Sequence, residues 1–162
     1  MIAALWGPAG IAAVSAILVA LAGGLLTTTG PWYQALRRPA WKPPDWAFGP
    51  VWTTIFTLTA ISAVLAWNAD ASVAARSALV AAYVVNAVLN IAWSGLFFRL
   101  RRPDWAFVEV LFLWLSIAVL ILVTVRVSGL AASLLLPYLV WVGIAACLNR
   151  AIVRLNGPFQ RA

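Results

Sequence analysis

Five separate runs of about twenty apolar residues, at roughly 5–26, 47–67, 77–98, 105–125 and 128–149, constrain this chain more than any other feature of it. A bilayer's hydrocarbon core is ~30 Å thick, and a helix needs about 20 residues to cross it. With 65% of the residues hydrophobic and 9% charged, the chain carries more apolar surface than a soluble core of this size could bury. The runs are continuously apolar and rich in Ala and Leu instead of alternating, so a β-barrel is excluded. Most of the joints between them are short, which forces consecutive spans to lie antiparallel, side by side. The sequence therefore predicts an all-α integral membrane protein, a single domain over 1–162. It is a five-helix transmembrane bundle with an irregular Trp/Pro-rich loop, 27–46, between helices 1 and 2. The first run is not read as a secretory signal, because no Lys or Arg precedes it and it stays uncharged as far as Leu36.

Basic residues orient the bundle. Arg37, Arg38, Lys42, Arg99, Arg101, Arg102, Arg150, Arg154 and Arg161 fall on the side of the 27–46 loop, against Arg76 and Arg126 on the other. The positive-inside bias puts that loop and the C-terminus in the cytoplasm, without resolving a bacterial envelope from a mitochondrial outer membrane. The pentapeptide Pro-Asp-Trp-Ala-Phe occurs at 44–48 and again at 103–107. Both copies open a span from the same side, with Asp45 and Asp104 expected as N-caps and the tryptophans at headgroup depth.

Residue types limit the chemistry. The chain has no histidine and one cysteine, Cys147, which removes the common zinc and haem ligand, the usual base of a hydrolytic triad and any internal disulfide. No catalytic residue, metal ligand or required cofactor is predicted, and the cations sit at interfaces instead of forming a nucleic-acid stripe. Glu109 is expected in an interfacial ion pair, with Arg102 or Arg154 in reach. Helical spacing sets Asn86, Asn90, Trp93 and Phe97 on one face of the third span, Tyr138, Trp141, Ala145 and Asn149 on one face of the fifth, and Trp52, Phe56 and Ala60 on one stripe of the second. These faces either line a pocket or bond and pack against neighbouring helices. Ala12, Ala16, Ala20 and Gly24 form a small-residue ladder suited to close helix approach, inside the bundle or in a homodimer.

The segment 32–52, Trp-Tyr-Gln-Ala-Leu-Arg-Arg-Pro-Ala-Trp-Lys-Pro-Pro-Asp-Trp-Ala-Phe-Gly-Pro-Val-Trp, is too polar to span and too aromatic for a linker. Its prolines fix φ and remove donors, so little continuous helix extends beyond Leu36, and it reads as a lid over one end of the bundle. This segment closely resembles the signature of the tryptophan-rich sensory protein or translocator protein (TspO/MBR) family, which includes the peripheral benzodiazepine receptor. The likeness resumes at 89–95 and 137–149 and covers nearly the whole chain.

The resemblance implies a five-helix bundle, often dimeric, that binds porphyrins such as protoporphyrin IX in a cavity beneath the first loop. Carried over by position, the family's ligand-lining residues fall on Tyr33, Pro43, Trp52, Phe56, Asn90, Trp93, Trp141 and Ala145. A tetrapyrrole asks for aromatic walls and for cations at its propionates, and Arg37, Arg38 and Lys42 are the candidates for the second task. Without histidine, metal-free porphyrin or haem held without a histidine bond is expected. The family's sterol-recognition pattern asks for Tyr where this chain has Arg150, which argues against sterol binding through that motif. The function expected is a membrane receptor or carrier of porphyrins with a sensory or transport role. The alternatives are light-dependent porphyrin degradation, which some family members are reported to perform, and a transporter or scaffold for other hydrophobic ligands. The expected partners are the flat ligand, the lipid bilayer and a second copy of the chain, with no nucleic acid.

Overall fold

The structure, a computed structural model, describes residues 7–69 and 71–159. Leu5 and Arg161, which entered the span and charge assignments above, lie outside the described residues. The helices are α1 (Pro8–Leu26), α2 (Pro31–Ala35), α3 (Asp45–Asn68), α4 (Val73–Ser94) running into a π-helical turn (Gly95–Arg99), α5 (Pro103–Val125), α6 (Gly129–Ser133) and α7 (Leu136–Asn156). Five continuous helical stretches are long and apolar enough to cross a membrane, α4 with its π turn and α6 with α7 each counting as one. The five expected spans are all present. The last one reaches Asn156 instead of stopping at Asn149, because Arg150 and Arg154 continue the helix into the headgroup zone with their charged ends in water.

Helix α5 is the spine. Ala106, Val110, Leu113, Ile117, Leu120 and Thr124 recur at three- and four-residue spacing along it and are buried between α4 and α7. Helix α1 is the opposite case: none of its residues is buried, and it leans on α3 and less extensively on α4. The small-residue ladder of α1 is turned toward that seam, with Ala12, Ala16 and Ala20 facing spaces that open beside α3.

Two local details differ from the sequence reading. Asp45 and Asp104 do not cap their helices. Pro44 and Arg102 occupy the N-cap positions, and the aspartates sit in the first turn, where a negative charge still favours the helix dipole. Each pairs with a nearby cation instead, Asp45 with Lys42 at 2.5 Å and Asp104 with Arg102 through both of its oxygens. Arg102 also lies 4.4 Å from the Trp105 ring centroid, holding that indole at the boundary. The end of α4 also departs from a plain α-helix. Its wider π turn brings the consecutive Phe97 and Phe98 both into the core, 4.8 Å apart between ring centroids, where α geometry would turn one of them away. The turn ends with Arg101 in the left-handed region, φ 53°, a conformation that costs an L-residue about 1–2 kcal/mol.

Interhelical hydrogen bonds fix the register. Asn149 on α7 is 1% exposed; its amide donates to the Pro103 carbonyl at 2.8 Å and its oxygen accepts from the Trp93 indole at 3.1 Å, so one side chain ties α4, α5 and α7 together. Ser62 on α3 donates to the Ala131 carbonyl at 2.7 Å and lies 2.9 Å from the Tyr83 hydroxyl of α4. Replacing Asn149 by Leu keeps the branched shape but strands the Trp93 N–H in the core. The expected cost is about 2 kcal/mol, read as a lowered unfolding midpoint in detergent micelles.

Candidate ligand cavity

The loop 27–46 is a lid with a rigid attachment. The short helix α2 ends where Leu36 turns extended ahead of Arg37, Arg38 and Pro39, as the proline spacing predicts. Tyr33 is buried against Phe98, ring centroids 5.6 Å apart, and Trp32 meets Phe97 edge-on at 6.1 Å. At its far end the lid is clamped to α7. The Arg37 N–H donates to the Asn156 side-chain oxygen and the Asn156 amide donates back to the Arg37 carbonyl, both at 2.8 Å.

Below the lid lies a layer of rings. Phe48 meets Trp141 edge-on at 5.5 Å, Trp52 stacks on Phe56 at 5.3 Å and meets Tyr138 at 6.1 Å, and Trp93 packs on Phe97 at 5.5 Å. The amides beside them are occupied by neighbouring helices. Asn90 donates to the Tyr138 hydroxyl at 2.9 Å and Asn86 to the Ser116 hydroxyl at 3.0 Å. Two of the lid's three cations are engaged as well. Arg38 lies 5.0 Å from the Tyr33 ring centroid and donates to Gln34, and Lys42 lies 5.6 Å from Phe48 while paired with Asp45.

The first open space begins on the other side of that layer, partly open between α1 and α4, where Ile11, Val80 and Val84 are exposed. A 560 Å³ cavity between α1, α3, α4 and the start of α7 has Phe56, Tyr138 and Asn86 at its lid end, alanines such as Ala12, Ala63 and Ala87 along its walls, and Pro8 and Trp67 at the end away from the lid. The volume is in the range that holds a drug-sized molecule. Thr59 also borders it, with its hydroxyl buried and without a hydrogen-bond partner. A second space of 690 Å³ runs along the outside of the α1–α3 seam and includes Trp52. Ala16, Phe56 and Ala60 border both spaces.

A model of the TspO/MBR family matches residues 11–155. The chain belongs to the TspO/MBR family. The tryptophan-rich protein TspO of Chlorobaculum tepidum is 38% identical over 129 residues, 77% of this chain and 79% of that one. The human translocator protein is 34% identical over 126 residues, 77% of this chain and 75% of that one. Protein CrtK of Rhodobacter capsulatus is 33% identical over 150 residues, 89% of this chain and 91% of that one. The likeness seen in the segment 32–52 thus extends through all five spans.

In this TspO/MBR chain the residues carried over from the family signature occupy three levels. Phe56 borders the 560 Å³ cavity and, with Trp52, the outer groove. Trp93 and Trp141 lie in the ring layer and Asn90 beside it, Ala145 lies half-buried one turn beyond Trp141 on α7, Tyr33 belongs to the lid's buried face, and the Pro43 carbonyl accepts from the Lys42 ammonium at 3.1 Å. The sequence faces did not flag Thr59, Ala63, Trp67 or Tyr83, which lie deeper along α3 and α4. Their signal was only an Ala-rich stripe in an Ala-rich chain. Glu109 is a correction: among the described residues it forms no ion pair, both of its oxygens are buried without a partner, and Arg102 is taken by Asp104. Tyr138→Phe removes the acceptor for Asn90 at the cavity's lid end and is expected to cost about 1 kcal/mol of helix association, measured by denaturant titration in micelles.

Proposed function

We propose that this integral membrane protein is a receptor or carrier for a flat, hydrophobic tetrapyrrole such as protoporphyrin IX, held between α1, α3 and α4 below the ring layer. The observation that carries the reading is the 560 Å³ apolar cavity whose lid end is formed by Phe56 and Tyr138, with Trp52 stacked behind Phe56. A π-system of this kind gains from ring contacts at its edge and from alanine walls that let helices close over its faces. Without histidine in the chain, the ring is bound through packing and not through an iron–imidazole bond. The relatives' names, tryptophan-rich sensory protein and translocator protein, favour sensing or carriage over catalysis. The charge bias favours a cytoplasmic lid, since among the described residues only Arg76 and Arg126 stand at the opposite end.

Titration of the purified protein with protoporphyrin IX should quench its tryptophan fluorescence saturably. Ala63→Phe, which puts a ring into the cavity from its α3 wall, should abolish saturation, and Phe56→Ala should weaken binding about tenfold through lost ring contact and area. Quenching that rises linearly in the wild type, or binding untouched by Ala63→Phe, refutes the reading.

A further inference from the structure

We propose that the cavity's occupant enters and leaves sideways from the bilayer, through the seam between α1 and α4, with α1 as the gate. The inference rests on the reading that the cavity holds a hydrophobic ligand, and it assigns the route that ligand takes and the phase it comes from. The cavity's lining residues on α1 run from Pro8 to Val19 and those on α4 from Leu79 to Ala87, so it occupies the part of the seam away from the lid. Three of them are about half exposed, Ile11 at 54%, Val80 at 48% and Val84 at 56%. Leu79 and Asn86 border the same cavity and are buried, so bordering the cavity does not by itself expose a side chain. The wall is therefore open to lipid where Ile11, Val80 and Val84 stand.

Toward the lid the same seam is shut. A Cβ on Gly23 of α1 would lie 3.7 Å from the Ser94 Oγ of α4, and one on Gly95 would lie 3.9 Å from the Leu26 Cδ1, so glycine on each side lets the two helices touch. Helix α1 is thus held against α4 at one end and parted from it at the other, the geometry of a hinge at Gly23 and Leu26. Little resists its movement. It has no buried residue, and among the described residues no side-chain hydrogen bond joins it to another helix. Apolar surface that leaves α3 and α4 meets lipid, which costs little. The lid offers no comparable route. Tyr33 and Leu36 are buried, Asn156 holds the Arg37 backbone by two bonds of 2.8 Å, and the rings of Phe48, Trp141, Trp52 and Tyr138 lie beneath. The occupant is accordingly a molecule that partitions into the bilayer first and is taken up from there.

The test measures association and dissociation rates of protoporphyrin IX by tryptophan quenching in phosphatidylcholine nanodiscs. Cysteines are placed across the seam, Ile11→Cys with Val80→Cys, or across the lid clamp, Arg37→Cys with Asn156→Cys. Both pairs carry Cys147→Ser and are joined by a bis-methanethiosulfonate linker that dithiothreitol cleaves. The seam link should slow both rates about tenfold and leave Kd unchanged, with recovery on cleavage, because it raises the barrier and not the end states. The lid link should leave both rates as they were. Independently, Gly23→Leu, which pushes α1 off Ser94, should speed both rates. Slowing by the lid link alone, or rates untouched by both the seam link and Gly23→Leu, would overturn the lateral route while leaving the cavity's ligand in place. A wild type that does not bind protoporphyrin IX saturably would instead overturn the proposed function, and the route with it.

Discussion

Hydrocarbon on the outside removes the usual reason for helices to pack. Apolar side chains gain little by leaving lipid for one another, so close fit and interhelical hydrogen bonds must hold the bundle together. The structure meets this with few polar residues in decisive places. Asn149 binds both Trp93 and Pro103, Asn90 binds Tyr138, Asn86 binds Ser116, and Ser62 joins Tyr83 to the Ala131 carbonyl. These contacts run through α3, α4, α5 and the α6–α7 span. Helix α1 shares in none of them, has no buried residue, and is the wall along which both spaces open.

That unequal bonding divides the molecule into a fixed half and a looser one. The fixed half includes the lid, because Tyr33 and Leu36 are buried and Asn156 grips the Arg37 backbone from the last turn of α7. The π turn contributes by directing both Phe97 and Phe98 under α2. The lid is thus built as a packed plug over the ring layer, and the open space lies deeper, against the small residues of α1. Phe56 borders both the cavity and the groove, together with Ala16 and Ala60, and is the bulkiest of the three.

Glu109 shows how burial overrides a pairing inferred from charge alone. Arg102 is drawn to Asp104 two residues away and to the face of Trp105, which leaves Glu109 a turn deeper without a cation. A carboxyl group buried this way within a spanning helix is costly in its charged form.

The sequence by itself determined the class, the number of spans, the lid and the family, because a bilayer admits only one solution for runs of this length and the prolines of 27–46 forbid a long helix there. It also marked Asn86, Asn90, Trp93, Tyr138 and Asn149 as inward-facing, since helical period fixes a face. It did not decide what those faces meet. Whether an amide bonds a ligand or a neighbouring helix depends on which hydroxyl or carbonyl stands opposite, and only the packed bundle places Ser116, the Tyr138 hydroxyl and Pro103 there. The depth of the cavity was likewise settled by tertiary structure. It is the gap left where α1, lined with alanines, leans on α3 and α4 without filling the space between them, and residue period carries no information about such a gap.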